Sequence, residues 1–216
     1  MLTFGKYKNE PLIDVYKKDE KYLKWLHTQP WFRIKFKDLH NQTTCLLNEK
    51  MEPIQIESNS FVIYTDGACK NNGTHRRDHA RGGIGIHFSP KNNIKIDDIS
   101  VCLDVDKPTN NIAELMAIEM ALKTCIQNNI KDKIIIFTDS QYSLKSITLW
   151  YPDWVNKNKL QGKKNIDILE RIHQLTKQVN IKFEYIRAHT NLSDEHSVGN
   201  SMADQLATQC IKYKSD

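Results

Sequence analysis

The chain has 216 residues, of which 39% are hydrophobic and 26% charged, with a formal net charge of +5. That length holds one large domain or an ordinary domain with a small appendage, and the composition is that of a soluble globular protein. The longest apolar runs, such as Ile134 to Phe137, fall far below the roughly 18 residues that span a bilayer, so no membrane association is expected. The opening Met1-Leu2-Thr3-Phe4-Gly5-Lys6 lacks the apolar core of a secretory signal, so the expected location is cytoplasmic or nucleic-acid-associated inside the cell, not secreted. Cys45, Cys69, Cys102, Cys125 and Cys210 are odd in number, scattered and never spaced as Cys-x-x-Cys, which predicts neither a disulfide framework nor a zinc site. The mild positive charge favours an anionic partner.

Residues 1–50 read as a small α-rich accessory module. Phe4-Gly5-Lys6-Tyr7-Lys8 is a compact aromatic and basic turn, Pro11 can open a short helix, and Asp19 can cap a helix through Tyr22, Leu23, Trp25 and Leu26. This stretch resembles the small Phe-Gly-Lys-Tyr/His-Lys-Gly module appended to some exonucleases, with Asn9 where those modules usually carry Gly. Trp25, Trp31 and Phe32 are expected to form the core of the module, with base stacking as the alternative. Residues 51–60 are polar and read as a linker.

From residue 61 to 213 the pattern becomes α/β. Phe61 to Tyr64 form an apolar strand expected to end at Asp66, with Gly67 and the Asn72-Gly73 turn behind it. The segments 82–88 and 94–103 read as further strands of an antiparallel meander. Thr109 to Gln127 is an amphipathic helix with Ile112, Leu115, Met116, Ile118 and Leu122 on its apolar stripe and Glu114 near its first turn. Ile134 to Phe137 has the continuous apolar character of a central parallel strand and runs into Thr138-Asp139. Helices are predicted over 140–150, 166–177 and 196–213, with a strand over 181–186.

Asp66 and Asp139 each follow an apolar strand, and on adjacent strands their carboxylates would meet at the carboxyl ends, where open α/β sheets place their sites. Glu114 and Asp204 come from helices that pack on that sheet. A single acid is usually a helix cap or a surface charge; four converging carboxylates repel one another unless cations neutralise them. Hard divalent ions such as Mg²⁺ prefer oxygen ligands and suit such a cluster.

Tyr64-Thr65-Asp66-Gly67, Thr109-Asn110-x-x-Ala113-Glu114, Thr138-Asp139-Ser140 and Gly199-Asn200-x-x-Ala203-Asp204-x-Leu206-Ala207 together resemble type I ribonuclease H across residues 60–212. The resemblance implies a mixed five-stranded sheet with flanking helices, and an endonuclease that hydrolyses the RNA strand of RNA–DNA hybrids to 5′-phosphate and 3′-hydroxyl ends. It implies two Mg²⁺ ions, with Mn²⁺ as an alternative, held by Asp66, Glu114, Asp139 and Asp204. His189 falls at the position of a mobile-loop histidine that assists product release or proton transfer, although Asn191 replaces a Gly usual in that loop. Cys69, Asn72 and Asn110 match contacts to RNA 2′-hydroxyls; turn formation and helix capping are the competing roles of the two asparagines.

Lys107, Thr109 and Asn165 match positions that cradle a DNA phosphate, and Tyr142, Trp150 and Trp154 match aromatics beside the DNA backbone, with core packing as the alternative for the two tryptophans. Lys157, Lys159, Lys163 and Lys164 form an acid-free run expected to attract phosphates, or else a solvated loop. The expected partner is an RNA–DNA hybrid bound by a monomer, with no protein partner indicated. The competing functions are another nuclease on the same sheet, such as a resolvase or exonuclease, and a non-catalytic hybrid-binding protein.

Overall fold

The computed structural model describes residues 2–48, 59–70, 81–187 and 194–213, and its contacts divide the chain into two units, Met1–Ile56 and Glu57–Asp216. In the first, helices α1 (Leu12–Lys18), α2 (Glu20–His27), α3 (Pro30–Lys35) and α4 (Lys37–Asn48) enclose a core of Leu2, Leu12, Val15, Leu23, Leu26 and Phe32. Asp19 caps α2 by accepting the Tyr22 amide at 3.0 Å, and the same carboxylate accepts the Tyr7 hydroxyl at 2.8 Å and Lys6 Nζ at 3.0 Å. One acid therefore both starts a helix and pins the aromatic turn to it. Asn9 has a φ of 69°, in the left-handed region that glycine occupies freely and asparagine tolerates better than most side chains. Phe32 is buried as expected of the core, but Trp25 and Trp31 are 53% and 39% exposed. Two turns of helix cannot turn every aromatic inward, and the small core is filled without them.

The second unit is built on a five-stranded sheet in the order β3-β2-β1-β4-β5. Its strands are β1 (Ser60–Lys70), β2 (Arg81–Phe88), β3 (Ile99–Cys102), β4 (Lys133–Thr138) and β5 (Ile181–Tyr185). β1, β2 and β3 form the antiparallel meander, while β1–β4 and β4–β5 pair in parallel, giving the mixed sheet that the sequence led us to expect. Helices α5 (Asn110–Gln127) and α8 (Ile166–Thr176) cover one face through Leu115, Ile118, Leu122, Leu169 and Ile172. On that face Glu119, almost fully buried, receives Arg171 Nε at 2.8 Å and Lys123 Nζ at 2.6 Å, which joins α5 to α8. Helix α9 (Glu195–Tyr213) packs on the other side, against β1 and β2.

Three elements differ from expectation. β1 does not stop at Asp66: its parallel pairing with β4 ends at Thr65–Thr138, while its antiparallel pairing with β2 continues from Asp66–Gly85 to Lys70–Arg81. The sheet thus opens between β1 and β4 at the first acid. β3 is shorter than 94–103 because the Asp98 side chain, rather than a main-chain carbonyl, accepts the Phe88 amide at 3.0 Å and ends the ladder. The helix predicted over 140–150 runs on to Asn156, as α6 (Gln141–Lys145), one wide turn over Ser146–Trp150 and α7 (Tyr151–Asn156). In the wide turn the Tyr151 amide bonds to the Ser146 carbonyl, and it directly precedes Pro152, which has no amide hydrogen to give.

The cysteine expectation also fails in one respect. Cys102, at the end of β3, and Cys210, on α9, form a disulfide with Cα atoms 5.4 Å apart across 108 positions of sequence. Spacing along the chain could not reveal a pair made by packing an edge strand beside the last helix. Cys69 and Cys125 are free thiols. Among the described residues no helix is long and apolar enough to cross a membrane. Closing so long a loop is worth roughly 4–5 kcal/mol in the chain-entropy account. A thiol reductant, or Cys210→Ser, is therefore expected to lower the thermal midpoint well beyond the effect of a surface substitution, measured by calorimetry in parallel oxidised and reduced samples.

Candidate active site

Asp66 is the first residue of β1 past its pairing with β4, and Asp139 is the first residue after β4. Adjacent parallel strands therefore deliver two carboxylates to one opening in the sheet. Gly67 explains how a third arrives: a Cβ there would lie 2.1 Å from the Glu114 amide nitrogen, so only glycine lets the backbone of α5 rest on β1. The fourth depends on β2, where a Cβ on Gly85 would lie 1.9 Å from the Ala203 carbonyl oxygen. That contact seats α9 one residue before Asp204. At the start of the same helix, a Cβ on Gly199 would fall 2.4 Å from the Tyr64 ring, whose hydroxyl meets His196 Nδ1 at 3.0 Å.

Oxygens of Asp66, Glu114 and Asp139 all lie within 4.8 Å of one another. With Asp204, these residues line a cavity of about 680 Å³ that also takes in Cys69, Lys70 and Asn110. Burial, reinforced by the charges of Asp139 and Asp204, pushes the Asp66 carboxyl up to about 7. Burial and the neighbouring Asp66 and Asp139 raise Glu114 well above the usual carboxylate range. Such a group of acids fits a cation. The donor set is entirely carboxylate oxygen, and Glu114 Oε2 is buried with no hydrogen-bond partner. Both features suit a hard divalent metal ion.

Around this centre, Asn110 is exposed at the start of α5, and Thr109, not Asn110, caps that helix by accepting the Ile112 amide at 3.2 Å. Asn110 is thereby free of the capping role. The Cys69 thiol donates to the Pro108 carbonyl at 3.2 Å. Lys107 is exposed, with a left-handed φ of 53°, two residues before the Thr109 cap. Asn72 and His189 lie outside the described residues.

Tyr142, Trp150, Trp154 and Asn165 come together as one surface. Asn165 Nδ2 donates to the Tyr142 hydroxyl at 2.9 Å, Tyr142 meets Trp150 edge-on at 5.9 Å, and Trp150 stacks with Trp154 at 6.3 Å. Lys163 Nζ lies 5.0 Å over the Trp154 ring, whereas Lys157 is paired with Asp153 at 2.7 Å. Lys159 and Lys164 are exposed.

Asn200, which was given no role from the sequence, touches the acidic cluster. It is almost fully buried and donates Nδ2 to Asp139 Oδ2 at 3.1 Å, which fixes the rotamer of a carboxylate at the end of a strand. The signal was present in the Gly-Asn-x-x-Ala-Asp spacing, which sets Asn200 one helical turn before Asp204 and on the same face. Partners of this kind typically tune metal affinity or activity by roughly 10- to 100-fold, so Asn200→Ala is expected to weaken Mg²⁺ binding by that order, read by calorimetric titration.

The raised acids also set a pH dependence. Asp66 is raised from 3.8 to about 7, so its protonated form supports the metal-free fold fully below pH 4, and that support is lost as pH rises through about 7. Melting curves in a chelator should fall between about pH 4 and pH 7, Mg²⁺ should reverse the loss at neutral pH, and Asp66→Asn should flatten the slope.

The family model for RNase H matches residues 58–212, and one for the exodeoxyribonuclease X-like C-terminal region matches residues 2–28. A ribonuclease H of Schizosaccharomyces pombe is 36% identical over 158 residues, covering 69% of this chain and 52% of that protein. A ribonuclease H of Ruthia magnifica is 34% identical over 155 residues, covering 69% of this chain and 93% of its own length. The chain spans about half the length of the eukaryotic relatives it matches. The solution structure of the RNase H domain of prototype foamy virus superposes with a TM-score of 0.57 at 26% identity, over 69% of this chain and 92% of that domain. Glycine-seated helices, a sheet that opens at its first acid and a match over most of the chain agree: the protein belongs to the ribonuclease H family.

Proposed function

We propose that the chain is an endoribonuclease that hydrolyses the RNA strand of RNA–DNA hybrids, leaving 5′-phosphate and 3′-hydroxyl ends. The observation that carries this reading is the cluster of Asp66, Glu114 and Asp139 oxygens within 4.8 Å in a cavity shared with Asp204. In this reading Asp66, Glu114, Asp139 and Asp204 would hold two Mg²⁺ ions, with Mn²⁺ as the alternative; Asp66 would serve both, Glu114 and Asp139 one and Asp204 the other. Two such ions, when bound, activate a water and steady the leaving oxygen of a phosphodiester.

The remaining groups bind and orient. Asn200 holds Asp139 in place, and Asn110 offers an amide that can both donate to and accept from a 2′-hydroxyl at the cavity wall. Cys69 and Asn72 extend that ribose check, and His189 moves a proton or helps product leave. The Tyr142, Trp150, Trp154 and Asn165 surface faces the DNA strand, with Lys107 and Thr109 beside a phosphate. Lys157, Lys159, Lys163 and Lys164 add phosphate attraction, the first of them attenuated by Asp153. The enzyme works as a monomer, with the nuclease over residues 61–213, a linker over 51–60 and an accessory module over 1–50.

Labelled RNA–DNA hybrid, double-stranded RNA and double-stranded DNA incubated with the protein in Mg²⁺ decide among the alternatives. Only the hybrid should be cut, within its RNA strand. Losing one metal ligand removes several kcal/mol of transition-state stabilisation, about a thousandfold in rate. Hybrid cleavage at the normal rate by Asp139→Asn would sink the metal assignment, and cleavage of duplex DNA would favour a different nuclease.

A further inference from the structure

The N-terminal unit carries a surface that the nuclease reading does not use. Residues 21–37 contain Lys21, Lys24, Arg33, Lys35 and Lys37, together with Trp25 and Trp31, and not one Asp or Glu. Over residues 1–48 there are nine Lys and Arg against five Asp and Glu, a net of +4 within a chain whose total is +5. Three of those acids are spent locally: Asp19 on Lys6, Glu10 on Lys18 and Glu20 on Lys24. Arg33, Lys35 and Lys37 are exposed and have no carboxylate partner among the described residues.

The two exposed indoles are both tied to the Phe4–Tyr7 turn. Trp31 packs edge-on against Phe4 at 5.3 Å, and Trp25 packs on Tyr22 at 5.7 Å, which in turn meets Tyr7 at 5.1 Å. Since Phe4 and Tyr7 belong to one short turn, the two indoles flank that turn, each braced from behind by another ring. Neither indole belongs to the buried core, and each keeps part of its surface exposed beyond those ring contacts. Between α2, α3 and α4 lies a cleft of about 580 Å³ lined by Arg33, Ile34 and the imidazoles of His27 and His40, which stack at 4.4 Å, and it contains no carboxylate.

An exposed apolar patch alone would suit a protein or a membrane. Braced flat rings interleaved with uncompensated cations suit a phosphodiester strand, and a ring can stack only on a base that is not already stacked within a duplex. We propose that the surface formed by α2, α3 and the start of α4 binds single-stranded nucleic acid, with Trp25 and Trp31 stacking on unpaired bases and Arg33, Lys35 and Lys37 contacting the backbone phosphates. This site stands independently of the nuclease assignment, because it uses none of the acids.

Binding of a fluorescent oligothymidylate of about 12 nucleotides to the full chain, followed by anisotropy, tests it. Trp25→Ala should weaken binding about tenfold, and Trp25→Phe should recover most of the loss. Replacing Arg33, Lys35 and Lys37 together with Ala should lower the salt slope by about 0.7 for each phosphate contact removed. Cleavage of a blunt hybrid by the same variants should be unchanged, which separates this surface from the interface around Trp150. Melting curves check folding, and the triple variant decides the matter should Trp25→Ala perturb the unit. Wild-type protein that ignores the oligonucleotide, variants that bind it normally, or variants that lose only anionic vesicles would each overturn the proposal.

Discussion

Mutual repulsion among buried carboxylates is the constraint on which the C-terminal unit is built. Asp66 and Glu114 are both pushed toward their protonated forms, chiefly by burial and then by neighbouring carboxylates, Asp139 and Asp204 for the first and Asp66 and Asp139 for the second. No local preference would bring these groups together; the rest of the fold must impose it. The apolar layer of Phe61, Ile63, Leu115, Ile118, Ile134 and Ile136 supplies the favourable burial, and the ligands are added at its edge. The site is thus unstable in isolation and stable only as the rim of a core.

Much of this could be read from the sequence because the acids stand in short motifs whose other residues have packing duties. Thr65-Asp66-Gly67 announced a carboxylate at the end of an apolar run, whereas the seating of α5 on that glycine showed only in the structure. Strand identity followed from β-branched runs, and the Asp19 cap from its position before an apolar helix. What escaped was tertiary. Whether β1 stopped at Asp66 depended on a partner strand that pairs with it from the other side. Asn200 stood within a quoted motif, yet its bond to Asp139 spans 61 positions. The Cys102–Cys210 pair spans 108 and has no local signature at all. Trp25 and Trp31 looked like core residues by type, and only the count of inward places in a four-helix unit leaves them outside.

The two units use aromatic and basic residues in different ways. In the C-terminal unit Tyr142, Trp150 and Trp154 are linked ring to ring beside one wide helical turn, with Lys163 resting on an indole. In the N-terminal unit Trp25 and Trp31 lean on different rings, Tyr22 and Phe4, and Arg33, Lys35 and Lys37 follow Trp31 with no acid among them. The first set forms one connected run of rings, whereas the two indoles of the second are borne by separate ring pairs. Recognition of a regular backbone favours the first, and recognition of splayed bases favours the second.

The glycines under α5 and α9 have a consequence for precision. Most helix–sheet layers are separated by side chains, which exchange rotamers and let the layers drift by fractions of an ångström. At Gly67 and Gly85 no side chain intervenes, and main chain meets main chain. The spacing of Glu114 and Asp204 from the strand acids is then set by backbone van der Waals radii, which have no alternative states to visit. A centre that must hold like charges at fixed separation is gauged against the least compliant part of the polypeptide.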